Sequence, residues 1–314
     1  MNDLNLASAL TRIAEALERQ NPPPLSMTDW ESAIAFRWRK QGAQSALGAR
    51  LSQGYLQGYL QAVQHVTHMS LAALHHIDVQ KAKIVQNTAQ FVASLPANNV
   101  LLTGARGTGK SSLIRACLHH FAPQGLRLVE IDKDDLTDLP DVIDALASRP
   151  ERFIVYCDDL SFEDGEGAYK AMKSALDGSI AGQTNNVLIY ATSNRKHLMP
   201  EYHSENHTHN GRGEDGEIHP GDVVEEKISL SERFGVWVSF HPFGQDDYLD
   251  IASHWLASFQ LTLDADARFF ALQWALERAS RSGRVAQQFA RDWAGKKATG
   301  TAPTAPAPIG ERVR

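Results

Sequence analysis

The sequence predicts an α/β fold: a parallel sheet of five strands with helices on both faces, a helical lid after it and a helical region before it. Three observations predict this. Between residues 76 and 243 short, near-continuously apolar runs alternate with helical patterns, as in strands buried on both faces. The first run, Val100-Leu101-Leu102-Thr103, feeds a glycine loop that opens directly into a helix. From Gln245 to Trp293 only helical stripes remain.

Taken in order, residues 1–24 are a short amphipathic helix (Leu4, Leu6, Leu10, Ile13, Ala14, Leu17) and a stiff linker begun by Asn21-Pro22-Pro23-Pro24. Residues 25–75 read as a helical region. It carries an aromatic and basic cluster, Trp30, Phe36, Arg37, Trp38, Arg39 and Lys40, then Tyr55, Leu56, Tyr59 and Leu60. The cluster has two readings, a nucleic-acid or partner surface and an amphipathic helical domain with a solvated basic edge, and the second is favoured. Residues 76–243 form the α/β core. A helix over 76–95 begins at Ile77-Asp78, with Ile84, Val85 and Phe91 at core spacing, and Pro96-Ala97-Asn98-Asn99 turns into the first strand. Further strands are expected at Leu126–Ile131, Phe153–Cys157, Asn186–Ala191 and Val236–Phe240, with helices around Leu139–Ala147 and Gly167–Leu176. Residues 244–294 are the lid, with stripes at Tyr248 to Leu256, Phe269 to Leu276, and Val285 to Ala290. Residues 295–314, rich in Pro, Thr, Ala and Gly, read as a disordered tail.

The chain has 314 residues, a formal charge of -6, a pI near 6.1 and 43% hydrophobic residues, the profile of a globular protein and not of a dedicated nucleic-acid binder. Charge is uneven, with eight basic residues against Asp292 and Glu311 from Arg278 onward. The two cysteines, Cys117 and Cys157, are expected to be small core residues in a reducing compartment. With no signal-peptide pattern and no apolar run of spanning length, a cytoplasmic location away from membranes is expected.

The glycine loop is Gly104-Ala105-Arg106-Gly107-Thr108-Gly109-Lys110-Ser111, a match to the phosphate-binding pattern of glycine, four residues, then Gly-Lys-Ser. Glycines stand where a phosphate must approach the backbone and a Cβ would collide. The N–H groups of the loop and of the following helical turn, Ser112 included, point at the anion. Lys110 is placed to bridge the β- and γ-phosphates, and the Ser111 hydroxyl to ligate Mg²⁺.

Hydrolysis needs more parts. The strand ending in Asp158-Asp159 fits the Walker B motif, with Asp158 on the Mg²⁺ shell and Asp159 polarising the attacking water. Glu163 on the next loop is the other candidate base. Thr192-Ser193-Asn194 ends the fourth strand, and Asn194 can bond the lytic water and a γ-phosphate oxygen. Arg233, just before the fifth strand, and Arg284, at the start of the last lid helix, can stabilise developing γ-phosphate charge. Rival phosphate-loop classes fit less well. There is no late Asn/Thr-Lys-x-Asp guanine-reading motif, since Asp132-Lys133-Asp134 comes too early, and no Leu-Ser-Gly-Gly signature. A small-molecule kinase usually lacks the polar fourth-strand tip and the lid.

These motifs resemble the AAA+ ATPases over roughly residues 76–294. Gly104 to Ser111 is similar to Walker A and Phe153 to Asp159 to Walker B. Asn194 resembles sensor 1, Ser231 to Gly235 the arginine-finger box and Arg284 sensor 2. The resemblance implies that Ile77-Asp78 contacts the adenine, that the chain forms a ring or open ring, and that Arg233 acts on a neighbour's ATP. More narrowly, Pro96 to Leu102, Cys157 to Glu163 and Tyr190 to Arg195 resemble a bacterial family of predicted AAA+ ATPases known as a domain of unknown function. One departure is Asp159, where most AAA+ proteins carry Glu. The shorter acid implies slow turnover, or Glu163 as base.

The insert Glu201–Glu226 holds His203, His207, His209 and His219; a solvated loop is expected there in preference to a metal site. The functional expectation is an ATP- and Mg²⁺-dependent ATPase that moves its lid against its core and acts on an unknown protein partner. Two alternatives stay open: a nucleotide-state switch or loader, and a DNA-associated ATPase suggested by the basic C-terminal part and the Trp30–Lys40 cluster. No aromatic-hydrophobic-Gly pore loop is present in the sequence.

Overall fold

Seven strands share one sheet in the computed structural model, which describes residues 33–40, 58–162, 166–177, 185–194 and 230–305. They are β1 (Ala35–Lys40), β2 (Gly58–Ala62), β3 (Val100–Gly104), β4 (Leu126–Ile131), β5 (Arg152–Cys157), β6 (Val187–Ser193) and β7 (Val236–Phe240), in the order β2-β1-β4-β5-β6-β3-β7. Only β1 and β2 pair antiparallel. Strand alternation sorts the core into two layers. Phe153, Val155 and Cys157 face one layer, with α3 (Leu139–Ala147) and α4 (Glu166–Asp177). Ile154 and Tyr156 face the other, with α1 (Asp78–Val92) and α2 (Lys110–Phe121). Cys117 and Cys157 are free and buried in opposite layers, and burial pushes the Cys117 thiol up to about 12.

The five expected strands are all present, each within two residues of its expected ends. The expectation of a helical region over 25–75 is corrected. Its described part holds β1, β2 and a 3₁₀ turn at Leu71–Ala73. The inward residues Phe36 and Trp38 alternate with Arg37 and Arg39, a period of two and not 3.6. β1 then adds to the β4 edge in parallel register, Phe36 opposite Val129. The aromatic and basic cluster is therefore not a solvated helix face. Phe36 and Trp38 are core residues, Trp38 Nε1 donates to Asp138 Oδ2 at 3.0 Å, Arg37 pairs with Glu130 and Lys40 with Asp135 and Asp138. Trp30, Tyr55, Leu56, the 1–24 segment and the His-rich insert lie outside the described residues.

Three helices follow the sheet: α5 (Gln245–Ser258), α6 (Ala265–Glu277) and α7 (Gly283–Ala298). They enclose a separate cluster around Tyr248, Phe289 and Trp293. The expectation of a disordered tail from residue 295 is corrected for residues 295–305. Helix α7 runs to Ala298, Ala302 packs on the lid, and the Ala305 N–H donates to Asp266 Oδ1 at 2.8 Å. No helix among the described residues is long and apolar enough to cross a membrane.

Lid and core meet at two places. The Gly283 N–H, at the start of α7, donates to the Gly107 carbonyl at 3.0 Å. On the opposite side His76, with φ of 59°, presents Nδ1 to Asp247 Oδ1 at 3.1 Å and Nε2 to Asp250 Oδ2 at 3.2 Å, both on α5. The His75 and His254 rings lie 4.2 Å apart beside this pair. Burial holds the His75 imidazole below the usual histidine range, helped by the charges of His254, His76 and Lys81 and opposed by Asp250.

Two outcomes are expected. Trp38→Ala lowers the unfolding free energy by about 3–5 kcal/mol, the cost of truncating a buried aromatic, in a denaturant titration that follows the whole chain. His75 gives stability that is fully present above its unfolded value of about 6.5 and lost as pH falls through its lower folded value, because the unfolded chain takes up a proton the folded one refuses. Thermal midpoints should therefore drop further between pH 7 and pH 5 in wild type than in His75→Phe.

Candidate nucleotide site

Strand order determines what meets at the C-terminal edge of the sheet. Strand β6 lies between β3 and β5, so the glycine loop after β3, the acids after β5 and the polar tip of β6 emerge side by side. Helix α2 starts at Lys110, capped by Gly109 in the left-handed region. Gly104 has φ of 129° and lies so close to β7 that a Cβ would fall 1.9 Å from the Phe240 carbonyl oxygen. Gly107 has φ of 74°, and a Cβ there would meet Ser282 at 2.7 Å. Glycine is thus required twice, once to seat the loop on the sheet and once to admit the lid.

Lys110 is only 5% exposed. Its Nζ donates to the Gly104 carbonyl (2.7 Å), the Ala105 carbonyl (2.8 Å) and Asn194 Oδ1 (3.1 Å). Burial pulls its ammonium below the usual lysine range, while Asp158 and Asp159 act the other way. Thr108 Oγ1 closes the loop onto the Ala105 carbonyl at 2.8 Å.

Asp158 Oδ1 accepts from Ser111 Oγ at 2.9 Å and from Thr192 Oγ1 at 2.6 Å. Burial pushes this carboxyl up, but the bonds from Thr192 and Ser111 and the nearby Arg115 charge outweigh it and leave it below the usual carboxylate range. An ionised carboxylate beside a serine hydroxyl at the mouth of a phosphate loop fits Mg²⁺, a hard cation that takes oxygen ligands. Asp159 is in the left-handed region, with φ of 54°. Its N–H donates to Thr192 Oγ1 at 3.0 Å, its Oδ1 accepts from Asn194 Nδ2 at 2.5 Å, and its Oδ2 is 3.7 Å from Arg106. Asn194 therefore bridges the loop lysine and the second acid.

A cavity of about 580 Å³ opens over these groups. Arg106 to Ser112, Asp158, Asp159, Asn194, Ile77 and Arg284 all line it, so most of the sequence-derived site converges on one space. Gly104 and Ala105 contribute their carbonyls beneath it. Arg233 does not line it; it lies on the turn before β7, ion-paired with Asp177. Glu163 lies outside the described residues. Thr192, two residues before Asn194, proves to be the hinge of the acid network, and its place on the same strand tip was the available signal. His75, Phe243, Ile251 and Trp255 form an apolar end of the cavity that no motif announces, and Arg115, Gln287 and Arg291 also line it.

Comparison with known proteins bears on the fold and the family. The fold is similar to that of the Aeropyrum pernix Orc1 protein in complex with DNA, with a TM-score of 0.52, 12% identity, and coverage of 74% of this chain and 63% of that one. Thermotoga maritima RuvB, a Holliday junction branch migration motor, overlaps with a TM-score of 0.48 and 15% identity, covering 76% of this chain and 68% of that one. No curated protein matches the chain. The likeness to Orc1 is one of fold. Residues 33–297 match the family described as Protein of unknown function (DUF815), to which the chain therefore belongs.

Proposed function

We propose that this protein binds ATP with Mg²⁺, hydrolyses it to ADP and phosphate, and couples the cycle to movement of the lid against the core on a protein partner. The observation that carries the reading is the convergence of Lys110, Ser111, Asp158, Asp159 and Asn194 from the core with Arg284 from the lid on one cavity. The residues then divide the work. The loop N–H groups and Lys110 hold the β- and γ-phosphates, and Ile77 with the apolar end of the cavity receives the base. Ser111 and Asp158 would hold Mg²⁺, which neutralises phosphate charge when bound. Asp159, or Glu163, takes the proton of the attacking water, with Asn194 orienting that water. Arg284 reaches the phosphates from the lid. Arg233 stands outside its own cavity, which suits action on the ATP of a second copy in a homo-oligomer.

A nucleotide-state switch is the second reading, and one observation favours it: Asp159 is engaged by Asn194 and faces Arg106, so it is not free to take a proton until those bonds exchange. The DNA-associated reading has lost part of its motive, since Phe36 and Trp38 are core residues. A cytoplasmic setting remains part of the proposal.

Steady-state ATP turnover measured against protein concentration tests the reading. Wild-type specific activity should rise with concentration. Lys110→Ala should fall to background, and Arg233→Ala by about a thousandfold or more, within the range a guanidinium contributes to phosphoryl transfer. Tight binding of Mg·ATP with turnover no higher than Lys110→Ala would leave the switch reading in its place.

A further inference from the structure

Asp177 is the last residue of α4. A carboxylate there faces the negative end of the helix dipole, at a position that favours a cation. Asp177 therefore stands where its own helix disfavours it, and what meets it comes from another element. Arg233 Nε donates to Asp177 Oδ1 at 2.6 Å.

The arginine stands on a rigid mount. Leu230 and Phe234, on either side of it, are buried in the same layer as Met172 and Leu176 of α4. The Arg233 N–H donates to the Leu230 carbonyl at 3.3 Å and the Phe234 N–H to the Ser231 carbonyl at 3.2 Å. The turn that carries the guanidinium and the helix that carries the carboxylate thus belong to one packed unit. Stability gives a weak reason for the pair, since ion pairs this close to the surface contribute little. Orientation gives a stronger one. A long, flexible side chain acts on a phosphate only if it is already aimed.

We propose that Asp177 is a positioning residue, holding the Arg233 guanidinium in the orientation from which it reaches the γ-phosphate bound by a second copy of the chain. The inference rests on the reading of Arg233 given above and supplies the group that aims it.

Subunit mixing tests both and separates them. Lys110→Ala chains keep Arg233 but lack a working site; Arg233→Ala chains keep the site but lack the arginine. Mixed, they should regain ATP turnover well above either alone. Asp177→Asn is then added to one partner at a time. In the Lys110→Ala chain, which donates the arginine, it should cut the regained activity by about ten- to a hundredfold, the cost of a misaimed catalytic group. In the Arg233→Ala chain it should change little, and Asp177→Glu in the donor should restore much of the activity. Equal losses in both placements, or none in either, would overturn the positioning role. No regained activity with Asp177 intact would remove the action of Arg233 between copies, and this inference with it.

Discussion

An ammonium group withdrawn from water has to be met by oxygen atoms, and Lys110 is almost fully buried. Two of its partners are carbonyls of its own loop, and the third is the Asn194 side chain on β6. That third bond ties the loop to the next strand of the sheet. Asn194 passes the tie to Asp159, Thr192 ties Asp159 to Asp158, and Asp158 returns it to Ser111 on the helix that Lys110 begins. The ring closes only because β6 lies between β3 and β5. Strand order, loop glycines and the polar tip of β6 are thus parts of one solution to a single electrostatic problem.

The lid is fastened at both sides of that ring. At one end the fastening is a backbone hydrogen bond from Gly283 to Gly107, as close as two glycine-containing segments can come. At the other end it is made by side chains: the His76 ring stands between two carboxylates of α5, and Asp247 also accepts the Gly244 N–H at the start of that helix. The first fastening adjoins the phosphate loop itself, through Gly107. The end of the cavity lined by His75, Ile251 and Trp255 lies beside the second. One cavity thus borders both attachments of the lid.

Much of this was legible in the sequence, for a physical reason. The parallel strands are buried on both faces, so their apolar runs stand out without any knowledge of partners, and phosphate chemistry confines glycine, lysine and acid to fixed spacings. What could not be read depends on pairing between distant segments. β1 holds Phe36 and Trp38 inside only because β4 lies beside it, and its charges are met by Glu130, Asp135 and Asp138, about a hundred residues away. Taken alone, the same residues suggest a basic, aromatic surface. The Pro-rich composition after residue 295 likewise concealed the docking of Ala302 and Ala305 on the lid. His75 and His76 belong to no motif; their meaning comes from the lid helix packed against them.

The position of Asp159 bears on how the site would turn over. A non-glycine residue in the left-handed region costs on the order of 1 kcal/mol and persists only where its surroundings over-determine it. Here they do so three times, through Thr192 at the backbone and Asn194 and Arg106 at the side chain. Lys110, Asn194 and Arg106, which here satisfy Asp159 and one another, are the groups that would meet a γ-phosphate under the proposed function. The shorter aspartate is thus one member of a network with Thr192, Asn194 and Arg106, and not an isolated acid in a glutamate's place.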